Sequence, residues 1–239
     1  MKQLLFGSLV FLSFVTYAQE KTLWDYPIKP RTEEWKKLEN NKAKVDACQV
    51  PEYVLQDIPT DDLMTLCLQY PLLLDVFAFN NINRGLEKLF ADFNGIREFS
   101  KRENAINGLR EQYLLEVRGF PGKLNNETPG LEVGRSIICI SMLEVLLSYP
   151  DFHIHTSKEN QKKVLESLLF GYREKCKYPK SFQGIGFTTN LFARAHIIVE
   201  IDAALSEKFE KENKAVLFSG MASAGLINTI DSLSYHLIK

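Results

Sequence analysis

The segment LEVGRSIICISMLEVLL, Leu131 to Leu147, decides the fold class of this 239-residue chain. Apolar residues cover almost every side of it at helical spacing, and only Ser141, Glu144 and Ser148 form a narrow polar stripe. A helix with this pattern is normally surrounded by other structural elements. The sequence therefore predicts a central helix that ends before Pro150, with further helices packed around it.

Most of the remaining chain also has apolar residues at helical spacing, and the alternating pattern of a strand is almost absent. Thr32, Thr60 and Ser157 are placed to cap helices. A loop is predicted over 177–187, with further helices over about 188–211 and 216–237. The sequence thus predicts an all-α protein: a compact multi-helix array or bundle, with an irregular helical-repeat-like arrangement as a variant of it.

The first eighteen residues have the pattern of a signal peptide. Lys2 gives a positive start, Leu4 to Val15 form an apolar run, and Thr16-Tyr17-Ala18 has the small-x-Ala pattern that a signal peptidase cleaves. The run is too short to cross a bilayer. We therefore expect cleavage near Ala18, a periplasmic or secreted protein, and no transmembrane anchor in the mature chain.

The mature chain is expected to begin with an extended leader over 19–31, followed by a single all-helical domain over 32–239. About 220 residues can bury one sizeable core, which favours one domain. The segment 119–129 is rich in Gly, Pro and Asn and is the best boundary if the domain has two halves, 32–118 and 130–239.

Charge and composition exclude some classes of partner. Residues 1–18 contain one of the 29 basic residues and none of the 30 acidic ones, so the mature chain has a net charge of about −2. This balance disfavours nucleic acid as a partner. The segment Gly184-Ile185-Gly186 lacks the third glycine and the lysine of the nucleotide-binding motifs, and we expect no cofactor.

Four cysteines leave the disulfide pattern open. An exported chain with Cys48, Cys67, Cys139 and Cys176 allows three pairings, of which Cys48–Cys67 is the most plausible. Four free and mostly buried thiols are favoured over this bridge. The sequence contains no C-x-x-C motif, which disfavours thioredoxin-like chemistry and cysteine-rich zinc sites.

One cluster has the residue types of a metal site. If the chain were extended over Asp151, His153 and His155, both imidazoles would point to the same side, and with the carboxylate they could bind a first-row metal ion. The alternative is a surface loop with two histidines and no ligand. No HExxH motif accompanies these residues.

A second cluster has the residue types of an acid–base site. Arg194, His196 and Glu200 lie in an otherwise apolar helix, and His196 and Glu200 are neighbours on one face of it. A carboxylate beside an imidazole raises its pKa and orients it, as a general base requires. An ordinary polar face is the alternative, because no nucleophile lies next to these residues in the sequence.

Two carboxylates lie in strongly apolar surroundings. An unpaired charge is costly there, so Asp75 and Glu144 should each find a cationic partner or reach water. Arg84 and Arg97 are the expected partners of Asp75. Structural ion pairs explain these residues better than a catalytic pair of carboxylates.

A resemblance supports the helical fold. The segment YPLLLDVF (70–77), the following Asn80-Asn81 and FNGIREF (93–99) resemble a segment, YPLLxDxF…FNGxxE, shared by a group of uncharacterised exported bacterial proteins. The likeness covers Ile58 to Tyr113. It implies an N-terminal helical module and carries no known activity.

Together these features favour an exported helical binding or protein-interaction module whose ligand is an unidentified protein or small molecule. With 16 Phe and 9 Tyr, the chain has more aromatic residues than such a core requires, and exposed ones would line a recognition groove between helices. The alternative is a hydrolytic or metal-dependent enzyme that uses the histidines and carboxylates named above. We expect that the protein is not an enzyme.

Overall fold

A computed structural model describes residues 24–124, 130–205 and 216–239. The predicted signal peptide lies outside these residues, as do the first part of the leader and parts of the segments 119–129 and 188–211. Within the described ranges the chain forms α-helices and short 3-10 helices and no strand. The predicted all-α class is confirmed.

Short helices make up the first half of the chain. The α-helices are α1 (Glu33–Lys36), α2 (Asn41–Ala47), α3 (Glu52–Asp57), α4 (Thr60–Leu68), α5 (Ile82–Asp92), α6 (Asn94–Ser100) and α7 (Ala105–Gly119). The second half has longer ones: α8 (Gly130–Leu147), α9 (Lys158–Cys176), α10 (Pro179–Phe182), α11 (Ile185–Ile201) and α12 (Ala224–Leu237). The 3-10 helices are Leu73–Ala78, Phe120–Lys123 and Pro150–Phe152.

Two of the three predicted caps are confirmed. The Thr32 side chain accepts a hydrogen bond from a backbone N–H of α1, and Ser157 does the same for α9. The prediction for Thr60 is wrong, because Pro59 occupies the N-cap position and Thr60 is already helical. Pro59 lacks a side-chain acceptor, so this helix begins without a side-chain cap.

Two glycines shift the predicted boundaries near the C-terminus. Gly184, at φ +71°, directly precedes α11, so the loop predicted over 177–187 is wrong: it contains α10 and the start of α11. Gly220, at φ +70°, ends the helical residues 216–219, and Ser223 caps a separate α12. A Cβ at Gly220 would lie 1.9 Å from the carbonyl oxygen of Thr188, so only glycine permits this approach of two backbones.

The core extends through both halves of the chain. α8 packs against α7 and α11, α9 packs against α7 and α11, and α12 also covers α11. Residues from both halves, such as Leu109 and Leu168, belong to one buried hydrophobic cluster.

The prediction that α8 is surrounded by other helices holds only for its C-terminal half, where residues 140–147 are buried. Its N-terminal half leaves Leu131, Arg135 and Ile138 exposed.

No helix of the described ranges combines the length and apolar character needed to cross a membrane.

Candidate functional site

A groove of about 940 Å³ lies between the leader, the end of α4 and the exposed face of α8. It is lined by Asp25, Tyr26, Lys29, Pro30, Leu68, Gln69, Tyr70, Pro71, Leu73, Leu74, Arg135, Ile138, Cys139 and Met142. Three stretches that are distant in the sequence therefore form one surface. Its size is at the upper end of the range for small-molecule pockets, and it is open to solvent.

The leader is held against the domain by Tyr26. The Tyr26 Oη donates a hydrogen bond of 3.0 Å to the carbonyl oxygen of Leu66, and its ring is buried. The ring of Trp24 packs against Tyr26 edge to face at 5.1 Å. An extended segment thus becomes a fixed wall of the groove.

The accessible part of the groove is aliphatic with a positive edge. Leu74 and Ile138 are 53% and 36% exposed. The exposed Arg135 forms no ion pair within the described residues, whereas Asp25 and Lys29 neutralise each other. The Gln69 side chain is exposed and makes no hydrogen bond in the same part of the chain. The surface therefore offers apolar contacts, one cation and one amide.

The composition predicts a groove lined by exposed aromatic side chains, but the accessible lining of this groove is not aromatic. Tyr26 and Tyr70 belong to the lining, but both rings are 4% exposed, and Tyr70 stacks on Phe93 with 4.0 Å between ring centroids. The aromatic side chains here serve the core. Aliphatic side chains provide the accessible contacts instead.

The predicted metal cluster is not assembled. Pro150–Phe152 is a 3-10 helix followed by a turn, so the extended backbone that would align the histidines is absent. His153 is buried and its Nε2 lies 2.7 Å from the carbonyl oxygen of Leu147, whereas His155 is exposed. Asp151 is half-buried. In the described ranges no three His, Cys, Asp or Glu residues are grouped as a metal site requires.

The predicted acid–base cluster is also dispersed. The Nε2 of His196 lies 3.0 Å from the carbonyl oxygen of Leu217, and burial lowers the pKa of His196, opposite to the effect expected from a neighbouring carboxylate. Within the described residues Glu200 forms neither a hydrogen bond nor an ion pair with His196. Arg194 instead forms hydrogen bonds with Asn190 and Asp231. His196 therefore acts as a half-buried neutral side chain that holds the segment after residue 215 against α11.

Glu144 is the centre of a buried polar network. Its Oε2 accepts hydrogen bonds from Lys175 Nζ at 2.6 Å and Thr189 Oγ1 at 2.7 Å, and its Oε1 accepts from Tyr113 Oη and Asn190 Nδ2, each at 2.8 Å. All these residues are buried. Two donors on each oxygen occupy the acceptor positions of a carboxylate. Glu144 is therefore a structural group, as predicted, and has no free lone pair for a substrate.

Burial in this network shifts the pKa values of Lys175 and Tyr113. Burial lowers the pKa of Lys175, while Glu144 acts in the opposite direction. Burial also raises the pKa of Tyr113, and Glu144 raises it further. Gly171 provides room for the Tyr113 hydroxyl, because a Cβ at Gly171 would lie 1.7 Å from it.

Arg194 extends the same network towards the surface. Its Nε donates to Asn190 Oδ1 at 3.0 Å, and its Nη1 donates to Asp231 Oδ1 of α12 at 2.5 Å. The guanidinium also lies over the ring of Tyr172 at 4.3 Å. Arg194 thus joins α11 to α9 and α12.

Sequence reasoning missed the role of Lys175. Cys176 at the end of α9 is exposed, whereas Lys175 beside it is buried. The one available signal was spacing: Lys175 is seven residues after Leu168 and therefore on the same helical face.

The expected partners of Asp75 are also wrong. Asp75 is exposed and has no ion pair within the described ranges. Arg97 instead donates from Nη1 to the carbonyl oxygens of Phe90 and Ala91 at the end of α5.

The four cysteines are free in the structure. Cys48 and Cys67 are buried, Cys139 is half-buried and Cys176 is exposed. The Cys48–Cys67 bridge is not formed, and the alternative of free thiols describes the chain. Burial raises the pKa of Cys139, at the groove, to about 11, so this thiol is neutral and poorly nucleophilic at physiological pH.

Comparisons with known proteins found no matching family model, curated protein or solved structure.

Proposed function

We propose that this protein is an exported helical protein-interaction module, and that the groove between the leader and α8 binds a peptide segment of a partner protein. The observation that supports it is the combination of exposed Leu74 and Ile138 with the unpaired Arg135 in one groove. The enzymatic alternative has no comparable support, because His153 and His196 contact backbone carbonyl groups and His155 is exposed and not grouped with them.

The partner segment is defined by charge and apolar complementarity. Lys29 and Asp25 cancel, so the uncompensated charge at the groove is the cation of Arg135. A segment with a carboxylate and a large apolar side chain would pair with Arg135 and cover Ile138. The Gln69 amide can bond to the backbone of an extended peptide. A small contact of this kind supports transient, about micromolar, binding.

A peptide selection tests the proposal. Random twelve-residue peptides displayed on phage would be selected on the mature chain. We expect enrichment of peptides with an acidic and an apolar residue. Fluorescence polarisation of the selected peptides should show at least about tenfold weaker binding to Arg135→Glu and Ile138→Asp, which is about 1.4 kcal/mol.

The matched control is Ile154→Asp, since Ile154 is 70% exposed and lies outside the groove. Peptide binding should be unchanged in this variant. Failure to enrich any peptide, or selected peptides that bind Ile138→Asp as well as the original chain, would contradict the proposal.

Export is the second element of this proposal and rests on the sequence pattern of residues 1–18, together with the resemblance of Ile58 to Tyr113 to exported bacterial proteins. Expression with the native N-terminus in a bacterial host should give a periplasmic protein. Its intact mass should correspond to a chain that begins at Gln19. A cytoplasmic product that keeps residues 1–18 would contradict export without affecting the groove.

A further inference from the structure

A second cavity, of about 330 Å³, lies between α5 and the 3-10 helix Leu73–Ala78. Most of its wall is apolar and comes from Leu72, Val76, Ala78, Phe79 and Leu89. Gly85 of α5 brings the two helices together, because a Cβ there would lie 2.2 Å from the carbonyl oxygen of Val76. The cavity has the volume of a small-molecule site and is too small for a folded partner.

One hydroxyl at this cavity has no partner. Tyr70 lines the cavity and is 4% exposed, and its Oη makes no hydrogen bond within the described residues. Stacking on Phe93, with 4.0 Å between centroids, holds the ring in place. Buried polar groups nearly always have a partner, and an unpaired one costs free energy. A bound acceptor would remove this cost.

The surroundings of Tyr70 determine which form its hydroxyl takes. Burial raises the pKa of Tyr70 the most, and the nearby Cys48, Asp92 and Asp75 raise it further. Tyr70, Asp75 and Asp92 all line this cavity. Tyr70 is protonated at neutral pH and has a hydrogen to donate.

The charge of the cavity favours a cation. Two carboxylates, Asp75 and Asp92, and one ammonium, Lys88, line it. Lys88 forms an ion pair with Asp92 one turn along α5, whereas Asp75 has no ion pair within the described part of the chain. An uncompensated negative charge at the edge of an apolar cavity suits an ammonium group on an apolar body.

We propose that this cavity binds a small organic amine, whose ammonium pairs with Asp75, whose apolar body fills the space between α5 and the 3-10 helix, and whose hydrogen-bond acceptor receives the Tyr70 hydroxyl. The cavity adjoins the peptide groove, because Tyr70 lines both, but Asp75 lines only the cavity and Arg135 lines only the groove. The Asp75→Asn and Arg135→Glu variants therefore test the two sites separately.

Tyramine is a suitable probe because it has an ammonium group, an aromatic body and a hydroxyl acceptor. Calorimetric titration of the mature chain with tyramine should give a Kd of about 1 mM or tighter. The anion 4-hydroxyphenylacetate should bind at least about tenfold more weakly, since it has the same body and the opposite charge. Equal binding of the two, or no binding of tyramine at about 10 mM, would overturn the proposal.

Asp75→Asn tests the ion pair without disturbing the fold, because Asp75 is exposed and unpaired. Tyramine should bind this variant about tenfold more weakly. The matched control is Asp57→Asn on α3, an exposed carboxylate outside the cavity, which should leave the Kd unchanged. An unchanged Kd in Asp75→Asn would overturn the proposal.

Tyr70→Phe tests the hydroxyl. In the absence of ligand this variant should be at least as stable to heat as the original chain, because an unpaired polar group is removed. Tyramine should bind it more weakly, while 2-phenylethylamine, which lacks the acceptor, should bind both proteins equally. A loss of thermal stability together with unchanged tyramine binding would show that the hydroxyl has a structural partner, and would overturn this assignment.

Discussion

Replacement of Lys175 by methionine should destabilise the protein because it leaves the Glu144 carboxylate buried without its cation. The Nζ–Oε2 distance is 2.6 Å, and the two side chains are 1% and 0% exposed. Removing one partner of a buried ion pair costs about 3–5 kcal/mol. Tyr113, Thr189 and Asn190 remain as neutral donors to Glu144, so we expect the lower end, about 3 kcal/mol.

A double-variant cycle separates the ion pair from general packing. Glu144→Gln alone leaves Lys175 charged and buried and should also cost about 3 kcal/mol. The combined variant contains neither charge, and it should cost about as much as either single change. The coupling free energy would then be about 3 kcal/mol, as for residues in direct contact.

Urea unfolding followed by circular dichroism measures these free energies, provided that the slope with denaturant is the same for all variants. Lys177→Met is the matched control, because Lys177 lies two residues later and forms an ion pair with Glu174 while 59% exposed. It should change the stability by less than about 0.5 kcal/mol. A cost below about 1 kcal/mol for Lys175→Met, or additive single changes, would refute the reasoning.

Three further predictions concern the histidines, the glycines and the thiols. Burial lowers the pKa of His153 and His196 in the folded state, so the stability that they contribute is complete above pH 6.5 and is lost as the pH falls through their folded pKa values. The urea midpoint of the original chain should therefore fall when the pH is lowered from 7 to 5. The fall should be smaller in a variant with Gln at both histidine positions, and an equal fall in the two proteins would contradict this prediction. Gly220→Ala should lower the free energy of unfolding in urea by about 2–4 kcal/mol, because the added Cβ strains the backbone and overlaps the carbonyl oxygen of Thr188. Gly134→Ala is the control and should be neutral or stabilising, because the space around Gly134 is open. Equal effects of the two changes would exclude the close approach of the backbones at Gly220 and Thr188. In the folded protein Ellman's reagent should react first with Cys176, and Cys176→Ser should remove the fast phase; a fast phase that persists would show that a different thiol is exposed.

The sequence predicted features that depend on residues close together in the chain. The helical spacing of α8 and the caps at Thr32 and Ser157 are local properties, and the structure contains all three. The errors at Thr60 and at the loop 177–187 are also local: Pro59 occupies the cap position, and Gly184 permits a helix to begin earlier than the apolar pattern indicates.

The candidate site could be predicted only in part, because it depends on contacts between segments that are distant in the sequence. Asp151, His153 and His155 are neighbours in the sequence, but a 3-10 turn sends the histidines to different environments. The groove, in contrast, depends on the hydrogen bond from Tyr26 to Leu66 and on the leader lying beside α8. Side-chain patterns record which residues face inward but not which surfaces meet.

Lys175 and Lys177 show where sequence information ends for this protein. Both are lysines at the end of α9, and the sequence alone determined that this segment is helical and apolar on one face. Only the tertiary structure decided that Lys175 is buried, because its partner Glu144 is 31 residues away and on another helix. Helix formation follows from contacts within a few residues, whereas ion pairs, grooves and cavities follow from how distant helices pack.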